Sequence, residues 1–283
     1  MERREALERL RAVVAGGGVV IGAGAGTGLS AKCAEAGGAD LIIIYNSGRY
    51  RMAGRGSHAG SMPYGDANAI VMDMAGEVLP VVRETPVLAG ICGTDPFRLM
   101  PVFLREVQRV GFSGVQNFPT VGLIDGNFRL ELEHTGMGYD REVEMIRVAH
   151  EIGLLTSPYV FTTDDARAMA QAGADVIVPH MGLTTSGMIG AGPTALSLDD
   201  CVKRTQELHD AAKDVNPDVL VICHGGSIAT PEDAAYVIER TAGVDGFFGA
   251  SSTERLPTEI AITETMRRFK SIGGAGAGGE GTA

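Results

Sequence analysis

Eight short apolar runs, each followed by a stretch with helical spacing, recur along nearly the whole chain and restrict it to a parallel α/β architecture. They are Val19 to Gly24, Asp40 to Asn46, Pro86 to Cys92, Gly114 to Phe118, Leu154 to Phe161, Asp175 to His180, Val219 to His224 and Asp245 to Ala250. Runs such as Leu41-Ile42-Ile43-Ile44 and Val176-Ile177-Val178 are apolar at successive positions, so both faces of these strands need cover. Three connections of similar make-up, Glu35 to Asp40, Arg109 to Phe112 and Gln171 to Asp175, put glycine where a helix ends before a buried strand. Thr163 and Thr230 stand at N-cap positions, Pro231 suits the first helical position, and small or apolar residues at 234, 237, 238 and 241 mark one face.

Eight units in 283 residues fit a (β/α)8 TIM barrel. The segment before them mixes charges with Leu7, Leu10 and Val14 on one helical face, as a helix capping the barrel bottom would and a signal peptide would not. The alternative is a doubly wound open sheet in which Gly22-Ala23-Gly24-Ala25-Gly26-Thr27-Gly28 binds a dinucleotide. An acidic residue would then end the second strand, and Tyr45-Asn46-Ser47-Gly48 stands there instead. The expectation is one TIM-barrel domain over residues 1–272, then a flexible Gly-rich tail over 273–283 that cannot bury a core.

A net charge of -11 without a basic cluster argues against nucleic acid as a partner. No apolar run approaches the roughly 20 residues of a membrane span, so no membrane association is expected. Cys33, Cys92, Cys201 and Cys223 lack paired spacing and read as reduced thiols of a cytoplasmic protein.

In a barrel the strand C-termini carry the chemistry. Gly225 and Gly226 follow the seventh strand and Gly249, Ala250 and Ser251 the eighth, so backbone N–H groups there are candidates for binding an oxyanion. His180 and His224 end strands six and seven and are candidate proton-transfer residues, with a structural hydrogen-bonding role as the alternative. Gln116 and Asn117 end strand four, where one can donate to an oxyanion or carbonyl. Glu254 is either a general acid or base, or a charge favouring the last helix's N-terminus. Cys92 and Cys223 are nucleophiles or inert core thiols. The polar segment from Arg49 to Asp66 carries Arg49, Arg51, Arg55 and His58. It reads as a lid folding arginines over a small anionic substrate, as the contact surface of a closed homo-oligomer, or as both.

Longer motifs add a resemblance. Gln116 to Gly126, Glu133 to Tyr139, Pro179 to Gly187 and Gly249 to Pro257 are similar to the phosphoenolpyruvate hydrolase-like family, also labelled TIM-barrel signal transduction proteins, whose fold forms the C-terminal domain of some plant antiviral-resistance proteins. The likeness runs from about Arg4 to Ile272 and extends to the phosphoenolpyruvate mutase and isocitrate lyase enzymes. It implies that Ser47 and Gly48 contact a substrate carboxylate. It also implies that Gly90-Ile91-Cys92-Gly93 and Gln116 stand where those enzymes keep magnesium carboxylates, a set poorly suited to that hard cation. No required cofactor is therefore expected, and a divalent metal stays open as an alternative. The implied function is that of a hydrolase or lyase acting on a small anionic oxo acid or phosphorylated oxo acid, by phosphoester hydrolysis or C–C cleavage. The alternative is a non-catalytic ligand-sensing or protein-binding barrel.

Overall fold

The computed structural model describes residues 1–192 and 195–272, and the expected tail lies outside the described residues. Nine parallel strands form one curled sheet: β1 (Val20–Ala25), β2 (Leu41–Ile44), β3 (Val87–Gly90), β4 (Gly114–Gln116), β5 (Leu155–Thr156), β6 (Tyr159–Val160), β7 (Val176–Pro179), β8 (Leu220–His224) and β9 (Gly246–Gly249). Helices alternate with them: α1 (Arg3–Ala15), α2 (Gly28–Ala36), α3 (Asn46–Met52), α4 (Ala67–Val78), α5 (Met100–Val110), α6 (Gly126–His134), α7 (Tyr139–Glu151), α8 (Thr163–Gln171), α9 (Leu198–Lys213), α10 (Pro231–Arg240) and α11 (Leu256–Lys270).

The sheet runs β5-β4-β3-β2-β1-β9-β8-β7-β6, so its two end strands are consecutive in the chain. They are the halves of the single run expected from Leu154 to Phe161. Pro158 has no N–H to give to a ladder, and it divides that run. Hydrogen bonds continue on both sides of the break, from Ser157 N to Val115 O at 3.0 Å and from Val178 N to Pro158 O at 2.9 Å.

Local chemistry sets the element boundaries. Thr162 caps α8 in a reciprocal capping box with Asp165, one residue before the expected cap at Thr163, because Asp165 is three residues on and can return the bond. Thr230 and Asp233 make the same box at α10, with Pro231 at its start. Gly38, Gly111 and Gly173 take positive φ at the expected helix-to-strand turns. α1 buries Ala6 and Leu10 beside β1 and β5, and Arg3 forms a two-pronged ion pair with Asp175 at 2.6 and 2.9 Å. The polar segment expected as a lid is more ordered than its composition indicates. It comprises α3, a 3-10 turn over Ser57–Ser61, and the approach to α4, which Asp66 caps.

Candidate functional site

The C-terminal ends of β2, β6, β7, β8 and β9 converge on a small pocket of about 20 Å³. Its lining includes Tyr45, Arg51, Tyr159, His180, His224 and Ser251. Arg51 reaches it from α3 and is 3% exposed. One guanidinium nitrogen, Nη2, lies 3.4 Å from Glu254 Oε2, the Tyr45 ring sits 5.3 Å from its centre, and Nε is buried without a partner. Burial opposes the Arg51 charge, but Tyr45 and Glu254 outweigh it and hold the guanidinium above its ordinary pKa. Glu254 is also fixed by the Gly26 N–H and the Ser30 hydroxyl. A buried unpaired carboxylate would be costly, and this set of donors compensates it.

The two histidines carry complementary tautomers. His224 Nδ1 lies 2.7 Å from the Phe248 carbonyl, which only accepts, so Nδ1 bears the proton and Nε2 keeps a lone pair. His180 Nδ1 receives the Gly182 N–H at 3.0 Å, so this ring's proton is on Nε2. Their ring centroids are 4.7 Å apart, and a backbone bridge joins the two residues. Burial pushes His224 down to about 4, an effect that the Phe248 bond opposes and Arg51 reinforces. Burial, then His224 and His58, pushes His180 well below the usual histidine value. Both rings are therefore neutral near pH 7: one presents an acceptor and the other a donor.

The other residues singled out in the sequence fall in different places. Ala250 and Ser251 line the pocket, and Ser251 Oγ is 3.5 Å from Ser57 Oγ. Ser47 instead ties α3 to the following turn through Ser57 O at 2.5 Å, and Gly48 packs on the Ala25 carbonyl. Arg49 points outward to Asp73 at 2.6 Å, while Arg55 is exposed over the Ala53 and Gly54 carbonyls. Gln116 donates to Ser157 O at 3.0 Å, bracing the break between β5 and β6, and its Oε1 is buried without a partner. Asn117 binds both Tyr159 backbone groups and Glu142. Gly225 and Gly226 have φ of +80° and +61°, and the space a side chain would need is taken by backbone. A Cβ would meet Gly182 O at 2.4 Å and Met181 O at 2.5 Å, and the Gly226 N–H is already bonded to Gly182 O. Gly249 accommodates Thr253, whose hydroxyl bonds the Gly249 carbonyl at 2.6 Å. The arrangement at Gly225 and Gly226 is backbone packed on backbone, which takes up the Gly226 N–H expected to face an oxyanion. Cys223 is fully buried and pushed up to about 12, which leaves it an inert thiol.

Tyr45 and Tyr159 form much of the pocket and were not singled out by sequence patterns, whereas Arg51 and His58 belong to the segment expected as a lid, in which Arg49 and Arg55 were the chosen substrate contacts. The helical register of α3 carries the missing signal: Ser47, Gly48 and Arg51, three of its four buried residues, share one face, whereas Arg49 lies off it. Glu142 on α7 also escaped notice. It is buried, accepts from Asn117, Thr120 and the Val121 N–H, and burial lifts its carboxyl to about 7 against those bonds. It anchors the turn that brings Phe118 and Leu123 to the pocket.

The donors present do not suit magnesium. Cys92 is a soft thiol held neutral chiefly by burial, and Gln116 offers one uncharged amide oxygen, Oε1, in place of a carboxylate. Among the described residues no three His, Cys, Asp or Glu side chains are grouped to hold a metal ion.

With this geometry in hand, the chain matches the phosphoenolpyruvate hydrolase-like family over residues 5–272. It is 64% identical over 266 residues to a Solanum lycopersicum protein described as ToMV susceptible protein tm-1(GCR26), covering 94% of this chain and 35% of that one. A second relative, ToMV resistance protein Tm-1(GCR237) from the same plant, is 63% identical over 96% of this chain and 36% of its own length. The chain thus spans about a third of the length of these curated relatives. Among solved structures, phosphoenolpyruvate phosphomutase from Streptomyces platensis subsp. rosaceus matches with a TM-score of 0.58 at 19% identity, covering 94% of this chain and 86% of that one. A phosphonopyruvate hydrolase in complex with oxalate and Mg++ matches with a TM-score of 0.57 at 16% identity, covering 96% and 88%. At these identities the likeness speaks for the fold.

Proposed function

Since the chain belongs to the phosphoenolpyruvate hydrolase-like family, we propose that it is a closed eight-stranded barrel enzyme, capped by α1, that acts on a small oxo acid or its phosphorylated form. The observation that carries this reading is a buried arginine with an unpartnered Nε beside two neutral histidines of opposite tautomer. Arg51 would hold the substrate carboxylate, because a guanidinium matches a carboxylate's geometry and its charge is intensified by burial. His224 Nε2 would accept a proton and His180 Nε2–H would donate to the developing oxyanion or leaving oxygen. Ser251 and the tyrosines Tyr45 and Tyr159 would orient the substrate. The likeness to phosphoenolpyruvate phosphomutase and phosphonopyruvate hydrolase supports this substrate class at the level of fold. No step is assigned to a metal, since the donors do not fit one.

A second reading, a ligand-binding barrel without turnover, is favoured by the same absence of suitable metal donors. Calorimetric titration with oxalate, pyruvate and phosphoenolpyruvate, alongside phosphorus NMR for phosphate release, separates the two. An enzyme should bind at least one probe and turn over an oxo acid, with His224→Asn lowering turnover by about 10²- to 10⁴-fold while affinity is largely kept. Binding without turnover of any probe supports the second reading. Failure of all three probes to bind at millimolar concentration rejects Arg51 as a carboxylate site.

A further inference from the structure

The pocket holds no uncommitted positive charge. Its charged or titratable lining consists of Tyr45, Arg51, His58, Tyr159, His180 and His224. Arg51 alone among these is always charged, and Glu254, which is not part of the lining, already balances it. A substrate anion entering the pocket would therefore carry a net negative charge into the protein, which is costly unless a compensating charge arrives with it.

Two of the three histidines are poor sources of that charge. A proton added to His180 would have to go to Nδ1, displacing the Gly182 N–H that this atom accepts. A proton added to His224 Nε2 would create an imidazolium that the Arg51 guanidinium opposes. His58 meets neither obstacle. Partial burial alone lowers its pKa, its ring makes no hydrogen bond among the described residues, and the residue is exposed, so solvent can supply the proton.

The backbone that carries His58 is nevertheless fixed over the site. Ser47 donates to Ser57 O at 2.5 Å, Asn46 donates to Gly60 O at 2.8 Å, and Ser57 Oγ lies 3.5 Å from Ser251 Oγ. Both flanks of the residue are thus tied to α3 or to the pocket wall. At Gly60 a Cβ would meet Ser47 Oγ at 2.0 Å, so the turn can lie this close to α3 only with glycine there.

We propose that His58 takes up one proton from solvent when a small carboxylate anion binds, and that its imidazolium then joins Arg51 in holding the anion. This rests on the reading of Arg51 as the carboxylate site, and it leaves His180 and His224 neutral for proton transfer. The anion raises the ring's pKa in the complex. Affinity is therefore greatest below the pKa of the free ring, falls by up to about tenfold per unit as pH rises to the raised value, and levels off above it.

Pyruvate is the probe, because its carboxyl is ionised from about pH 5 upwards and any proton gained belongs to the protein. Calorimetric titration at about pH 7 in buffers of different ionisation enthalpy should show uptake of about half a proton or more per pyruvate, and Kd should weaken about tenfold or more from about pH 5.5 to about pH 8. His58→Gln should abolish the uptake and the pH dependence, with circular dichroism unchanged at this exposed position. His58→Lys, charged throughout that range, should also lose the uptake yet bind at about pH 8 roughly tenfold or more tighter than His58→Gln. Uptake that persists in His58→Gln, wild-type binding without uptake, or a lysine variant no tighter than the glutamine one would each overturn the role of His58 and leave that of Arg51 standing. Pyruvate that fails to bind the wild type at millimolar concentration would instead reject the carboxylate site, and this proposal with it.

Discussion

Arg51, Glu254 and the two pocket histidines concentrate the cost of building this site. Replacing Arg51 by methionine leaves Glu254 with only the Gly26 and Ser30 donors inside the protein, and removing one partner of a buried pair typically costs about 3–5 kcal/mol. Urea unfolding should show a loss of that order, while Arg49→Met, which breaks an exposed pair with Asp73, should change stability by about 1 kcal/mol or less. The tautomers are directly observable: nitrogen NMR should find the proton on Nδ1 of His224 and on Nε2 of His180, with His224 charging only as pH falls to about 4 and His180 well below the usual histidine range. His180 and His224 were legible in the sequence because strand ends fix where such residues project. Arg51 was not legible, because arginines at 49, 51 and 55 look alike until α3 sets which of them faces inward.

At the level of elements, the capping boxes are the most readable features, and Thr230→Ala should lower stability by about 1 kcal/mol in thermal or urea unfolding. The division of the fifth strand was overlooked because Pro158 sits inside an otherwise continuous apolar run, and only pairing on its two sides exposes the break. Two buried groups make the stability of these elements depend on pH in opposite senses. Glu142 is lifted from 4.5 to about 7, so its contribution is full below pH 4.5 and is lost as pH rises through 7, roughly 3 kcal/mol in all. His224 is lowered from 6.5 to about 4, so its contribution is full above 6.5 and is lost as pH falls towards 4. The two slopes oppose each other between about pH 4.5 and 6.5. Glu142→Gln should remove one of them, so that unfolding free energy rises with pH across that interval more steeply than in the wild type. An unchanged slope would show that Glu142 is not carrying the proton.

At the scale of the molecule, the count of apolar runs anticipated the parallel sheet and its cover of helices, since strands buried on both faces leave a pattern that does not depend on fine geometry. The exposure of α11 left no such mark, because an amphipathic helix has the same periodicity whether its apolar side is covered or not. The pocket, too, is a property of the whole: five strand ends and the Ser57–Ser61 turn leave about 20 Å³ between them. If ligand enters only when the turns around so small a pocket part, the observed association rate should level off as ligand concentration rises instead of climbing without limit. The chain has no tryptophan and six tyrosines, two of which, Tyr45 and Tyr159, face the cavity. Its ultraviolet emission is thus a built-in, label-free reporter of occupancy, and stopped-flow mixing can read that plateau as the frequency with which the unmodified protein opens.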